Sequence, residues 1–209
     1  MRRARALTIA GVLATSACTY GPAQHRVQIE QAQVRPETRT FAAIVSSEVR
    51  REATGLAAFP DGGSPRIRDQ EVTVYLGDAD QHTVRRVGQI LIPPEIEEYP
   101  SPYLRGWQGS SLYFTVSGCP QRGAECGEKT RRQISYRVDE DGTMTRVDAM
   151  PQHLERQPNM GARAPGERVY MRINATFDTV YVRTVDDGPF VPLFALNRDG
   201  ELAPVRKAP

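Results

Sequence analysis

From about residue 70 onward, apolar and polar residues alternate along the chain, the period of a strand with one buried face. Glu71-Val-Thr-Val-Tyr-Leu76, Ser111-Leu-Tyr-Phe-Thr-Val116 and Gln133-Ile-Ser-Tyr-Arg-Val138 carry this pattern, as do Arg168-Val-Tyr-Met-Arg-Ile173 and Thr179-Val-Tyr-Val-Arg-Thr-Val185. All five are rich in β-branched and aromatic residues. Their polar positions, among them Ser135, Arg137, Arg172 and Arg183, predict strands that cover a core on one side only, as antiparallel sheets do. Pro93, Pro94, Pro100 and Pro102 break the pattern once, and the stretch from Pro151 to Pro165 breaks it again, leaving three groups of strands.

Upstream the pattern is weaker. Phe41, Ile44, Val45, Val49 and Ala53 follow helical spacing, with Pro36 and Glu37 suited to a start and Gly55 to an end. Phe41, Ala43, Val45 and Val49 also fit a strand, but the balance favours one N-terminal helix over Phe41–Leu56. From residue 18 to residue 40, Gln24, Gln28, Gln31 and Gln33 and the lack of a sustained apolar face predict a polar tether. Val27–Val34 would form a short amphipathic helix at most. Residues 41–209 then form a single mainly β domain: antiparallel hairpins in a sandwich, an open barrel or a partial propeller-like arrangement.

A weak internal repeat runs through this domain. Val74-Tyr-Leu-Gly-Asp-Ala-Asp80 leads to Thr83–Val87, Ser135-Tyr-Arg-Val-Asp-Glu-Asp-Gly142 to Thr143–Val147, and Leu193-Phe-Ala-Leu-Asn-Arg-Asp-Gly200 to Glu201–Val205. Each is a strand, an acidic turn and a second strand ending in Val, and Asp-Gly supplies residues that tolerate positive φ in the last two turns. The middle unit, Leu104-Arg-Gly-Trp107 through Met150, resembles a blade of the periplasmic TolB-type propellers. In that family a Trp-containing strand precedes an apolar strand, a strand ending in Asp-x-Asp-Gly and an outer strand. The last unit resembles it in part and the first hardly at all. Three units are fewer than the four or more blades of a closed propeller, so the resemblance implies a partial one at most.

The first seventeen residues have the order of a secretory signal peptide: basic Arg2, Arg3 and Arg5, an apolar run from Ala6 to Ala14, then small residues Thr15-Ser16-Ala17 before Cys18. The run is much shorter than the roughly 20 residues of a membrane-spanning helix, so removal is expected. Ala14-Thr15-Ser16-Ala17-Cys18 resembles the lipobox of bacterial lipoproteins, with Thr15 where that family usually has an aliphatic residue. The resemblance implies that Cys18 is acylated and becomes the first residue, anchored in the lipid bilayer of the cell envelope. Thr19 after the cysteine, rather than Asp, implies the outer membrane facing the periplasm.

An oxidising compartment also suits the other two cysteines. Cys119 and Cys126 bracket a short polar loop between two strand-like runs, and a structural disulfide between them is expected to restrict the unfolded chain by roughly 2–3 kcal/mol. Two thiols without a neighbouring His or third Cys do not complete a tetrahedral metal site, and six intervening residues are too many for a redox pair. The formal charge of +2 includes three arginines of the leader, so the remainder carries −1, which gives no electrostatic case for nucleic acid.

Nothing in the chain has the spacing of a catalytic, cofactor or metal motif. His25, His82 and His153 are isolated, Asp139-Glu-Asp141-Gly142 lacks the terminal Glu of a calcium loop, and Glu95, Glu97 and Glu98 resemble a solvated loop. Trp107 is expected in the core rather than on a recognition surface. The pattern therefore predicts a membrane-anchored, non-catalytic binding or scaffolding module for an envelope protein or peptidoglycan. The alternatives are an envelope hydrolase using His153 or Glu95–Glu98, and an accessory subunit of a larger envelope complex.

Overall fold

The structure is a computed structural model in which residues 19–36, 38–54, 66–120, 130–155, 169–183 and 188–205 are described. Those residues contain fourteen strands and no helix. The first six are β1 (Thr19–Tyr20), β2 (Gln24–Val34), β3 (Thr40–Arg51), β4 (Ala53–Thr54), β5 (Arg66–Asp78) and β6 (Thr83–Leu91). Then follow β7 (Glu98–Gln108), β8 (Ser111–Cys119), β9 (Arg132–Val138) and β10 (Met144–Val147). The last four are β11 (Tyr170–Ile173), β12 (Thr179–Arg183), β13 (Val191–Leu196) and β14 (Leu202–Pro204).

Apart from the small β1–β4 ribbon, the strands form three four-stranded antiparallel sheets, none of them closed. Sheet I has the order β2-β3-β5-β6, sheet II β7-β8-β9-β10 and sheet III β11-β12-β13-β14. Each is a meander in chain order, interrupted only in sheet I by β4 of the ribbon, and the fold is mainly β, as the alternation predicts. The repeated hairpin of the sequence is the last hairpin of each sheet. In sheets II and III it has one hydrogen-bond pattern: Asp139 N donates to Thr143 O and Gly142 N to Asp139 O, and Asn197 and Gly200 donate likewise to Glu201 and Asn197. Gly142 and Gly200 take the positive φ this turn requires, 94° and 77°. Sheet I has no glycine at its turn, and His82 takes the left-handed conformation instead.

Sheet I lies in the middle. Ala42, Ile44, Val72, Val74 and Leu76 pack against Leu104, Trp107, Leu112, Phe114 and Val116 of sheet II. Phe41, Ala43, Val45 and Tyr75 face the other way, against Val180, Val182, Leu193, Phe194 and Leu202 of sheet III. This corrects two expectations. Residues 40–51 are strand β3, not the start of a helix, because five consecutive apolar residues, Phe41–Val45, supply two opposite buried faces. β5 is likewise covered on both sides, Val72, Val74 and Leu76 facing sheet II and Tyr75 sheet III, and in β8 all of Leu112–Val116 are buried, so neither strand has the single covered side the alternation predicts.

A third correction concerns the tether. Gln24–Val34 is an eleven-residue strand paired with β3 along nearly its whole length, so most of the polar segment belongs to the folded domain. Its polar side chains have partners: Ser46 and Gln28 hydrogen-bond Glu30, and Gln31 Oε1 accepts the Leu104 amide of β7 at 2.7 Å. The neighbouring Ile29 is fully buried and donates its amide to Phe177 O of sheet III at 2.7 Å. β2 thus joins all three sheets.

The Phe41 ring stacks on Phe194 across the sheet I–III core, with centroids 4.7 Å apart. It also lies against Gly77, where an added Cβ would come within 2.3 Å of both the Phe41 ring and Thr83 O. Phe41→Ala is expected to cost about 3–5 kcal/mol in urea unfolding. Gly77→Ala should destabilise through overpacking by about 1–3 kcal/mol, and only part of that should be relieved in the double variant, since Thr83 O stays in place.

Candidate functional site

The strongest candidate for a recognition surface is the face of sheet III turned away from sheet I. Antiparallel pairing sets Tyr170 opposite Arg183 and Arg172 opposite Tyr181, while Met171, Ile173, Val180 and Val182 turn into the core. Tyr-x-Arg on two adjacent antiparallel strands therefore produces a checkerboard of rings and guanidinium groups on one face. Phe190, just before β13, completes it.

Arg172 stacks over Phe190 at 4.3 Å and over Tyr181 at 5.4 Å. Arg183 stacks over Tyr170 at 4.7 Å and over Phe190 at 4.9 Å. Both cations share one ring and are therefore less than about 10 Å apart, where their repulsion in water is on the order of 0.5 kcal/mol. Each cation–π contact returns about 0.5–1 kcal/mol at an exposed site, which suffices to hold the pair. Among the described residues no carboxylate pairs with either arginine, and Arg183 Nε is buried without a hydrogen-bond partner. Asp186 and Asp187 lie outside the described residues. Stacking leaves the N–H edges of a guanidinium available, and its planar fork matches carboxylate and phosphate oxygens. This arrangement can bind an anion; it contains no group poised to move a proton.

The β11–β12 turn sets this register. Asn174 Oδ1 accepts the amides of Asp178 and Thr179, its Nδ2 donates to Asp178 Oδ1 at 2.7 Å, and Thr179 Oγ1 donates to the same carboxylate at 2.6 Å. Hydrogen bonds from Thr179, Asn174 and Thr176 hold the Asp178 carboxyl below its ordinary range. Asn174-Ala-Thr176, a glycosylation-like triplet in the sequence, is occupied with building this turn.

Other charged regions are paired internally. At one end of sheet I, Arg39 meets Asp80 at 3.3 Å, Arg35 lies 3.9 Å from Glu140, and Arg85 donates to the Glu140 carbonyl. These contacts border a cleft of about 430 Å³ lined by Asp78, Thr83, Arg85 and Glu140, in which Asp78 Oδ1 accepts the amides of Asp80 and Gln81. Glu95 is bound to Arg146 at 2.9 Å, and that hydrogen bond holds its carboxyl below the usual range, opposite to the shift a general acid needs. His25 Nε2 lies 3.0 Å from Ser47 Oγ on an exposed strand surface, His82 sits in the β5–β6 turn, and His153 is exposed in the loop after β10.

Asp139–Gly142 forms a hairpin turn, with Asp141 accepting the Thr143 amide and hydroxyl. No group of three or more metal-binding side chains occurs among the described residues. Trp107 is buried, as expected, whereas Tyr103 is half exposed under Arg105. Cys119 ends β8 and is buried; Cys18 and Cys126 lie outside the described residues. Sequence reasoning identified Arg172 and Arg183 as the polar side of their strands but missed the pairing with rings, for which the repeated Tyr-x-Arg was the available signal. Compared with family models, curated proteins and solved structures, the chain shows no significant match.

Titration with inorganic pyrophosphate, followed by calorimetry, is expected to show binding that Arg172→Ala or Arg183→Ala weakens about tenfold. Arg172→Lys should fail to restore it, since an ammonium neither stacks nor forks. Because the folded-state pKa of Asp178 is depressed, its stabilising contribution is present above the unfolded value of about 3.9 and is lost as pH falls through the folded value. The urea midpoint of Asp178→Asn should accordingly fall less steeply than that of the parent below about pH 4.

Proposed function

We propose that the chain is an exported lipoprotein of the bacterial envelope, anchored by acylated Cys18, whose β domain is a non-catalytic binding module for an anionic envelope ligand. The observation that carries this reading is the order of the first eighteen residues: three arginines, a short apolar run, small residues and a cysteine. Acyl chains on Cys18 hold the domain at a membrane, since each buried methylene contributes about 0.8 kcal/mol. Confinement to a surface raises the domain's effective concentration near other envelope components. The outer membrane, facing the periplasm, is the proposed location.

Two features of the fold support the binding part of this reading. The Arg172–Arg183 face is cationic, outward and unpaired among the described residues, while the mature chain as a whole carries −1. Carboxylates of peptidoglycan stems and phosphates of envelope glycans have the matching chemistry. In the same oxidising compartment a Cys119–Cys126 bridge closes the loop after β8.

Intact-mass analysis of the native product tests the anchor. The expected species begins at an acylated Cys18 and is two hydrogens lighter than the fully reduced chain. Cys18→Ser should shift the protein from the membrane fraction to the soluble one. A product that retains Met1, or that begins with an unmodified residue, would contradict the proposal.

A further inference from the structure

We infer that the open edge of β6 at Gln89–Leu91 takes up an extended peptide of a partner protein as a fifth strand of sheet I, with an acidic residue of that peptide meeting Arg86. The site is separate from the cationic face of sheet III and does not depend on the lipid anchor. Two main-chain bonds fix which way this edge points: Ala79 N donates to Arg39 O at 3.0 Å, and Ile92 N to Gln70 O at 2.9 Å. Bonding alternates along an antiparallel ladder, so from Gln70 to Ala79 the odd-numbered residues of β5 bond β3 and the even-numbered ones bond β6. Thr73 lies opposite Gln89 and Glu71 opposite Leu91. The N–H and C=O groups of Gln89 and Leu91 therefore point out of the sheet, and no main chain among the described residues bonds them.

The other sheet edges are occupied or short. On β2, Ile29 N donates to Phe177 O, and on β7 Trp107 exchanges two main-chain bonds with Glu155. Strands β10, β11 and β14 have four residues or fewer, against nine in β6. Proteins guard a long edge with charges, bulges or a covering loop, and the first half of β6 has all three. It carries Arg85, Arg86 and a bulge opposite Tyr75, and a Cβ added at Gly142 of the β9–β10 turn would lie 2.7 Å from Val87 O. Among the described residues nothing guards Gln89–Leu91. Leu91 is 66% exposed, and a cleft of about 650 Å³ along this stretch is lined by Glu71, Arg86, Val87, Gly88, Gln89 and Leu91. Donors and acceptors alternating at strand spacing are satisfied together by another extended backbone, whose side chains then decide the partner. Arg86 shares a face with Gln89 and Leu91, because the residues opposite them, Tyr75, Thr73 and Glu71, alternate along β5. It is exposed and in no ion pair among the described residues, whereas Glu71 is held by the Gln89 side chain. An antiparallel peptide with an apolar residue against Leu91 brings the residue four positions on to Arg86, and an acid there matches its charge.

The probe is a capped, fluorescein-labelled peptide of sequence Leu-Val-Thr-Val-Glu, titrated into the native, processed protein in detergent and read by fluorescence polarisation. Leu91→Pro removes an outward N–H and no bond within the sheet, so it should weaken binding about tenfold while circular dichroism shows the fold unchanged. N-methylation of the peptide's threonine, which faces Gln89, should weaken binding as much with the protein unaltered. Arg86→Glu should cost about fivefold, and a peptide with lysine in place of glutamate should recover it. At saturation the amides of Gln89 and Leu91 should exchange at least about tenfold more slowly than in the free protein. Equal binding of the N-methylated peptide, unchanged exchange at those two amides, or no binding below about 1 mM overturns strand addition. A dimer in sedimentation that Leu91→Pro dissolves gives the edge to a second copy of this chain and overturns the peptide partner.

Discussion

Five consecutive residues, Phe41–Val45, point alternately into two different hydrophobic cores, and the rest of the domain depends on that arrangement. A strand offers two faces, and here neither meets water: Ala42 and Ile44 complete the core under sheet II, while Phe41, Ala43 and Val45 complete the core under sheet III. Sheet III has strands of only three to six residues and could not bury its apolar face without sheet I. Sheet II has the same dependence through Phe114, Val116 and Trp107. Hence three meanders that look independent in topology form one stack whose middle layer cannot be removed.

That stack decides which surfaces are available. Sheet I is covered on both faces along β3 and β5, while its edge strand β6 keeps exposed residues such as Arg86, Gln89 and Leu91. Sheets II and III each keep one outward face, and both use tyrosine and arginine there. They differ in how the charges are met. On sheet II, Arg137 pairs with Asp139 at 3.0 Å, whereas on sheet III Arg172 and Arg183 rest on rings alone among the described residues. This contrast makes the outward face of sheet III the candidate recognition surface.

Much of the fold was legible where a strand has one wet side. The alternation in β9, β11 and β12 and the recurring turns located the sheets and their last hairpins, because a polar face and, in sheets II and III, an Asp-Gly turn each leave a local mark. The pattern failed where that mark is absent. In β3 both faces are apolar, so period two disappears and the residual spacing of Phe41, Ile44, Val45 and Val49 imitates a helix. In β2 the opposite happens: an edge strand with few buried residues looks like a tether, because Gln31 and Glu30 satisfy partners on β7 and β3 that lie far away in sequence or across a bulge. The candidate site was half visible. Arg172 and Arg183 stood out as polar positions, but Phe190 joins them only through the return of the chain into β13.

Native-state hydrogen exchange along sheet I tests the central packing claim most directly. If β3 is the shared wall of two cores, the amides of Ala42–Val45 should exchange only through global unfolding, at the slowest rate in the protein. The short outer strands β10 and β14 should open more readily. Slower exchange in β9 or β12 than in β3 would mean that sheets II and III are stable without the middle layer, contradicting a single stack built around it.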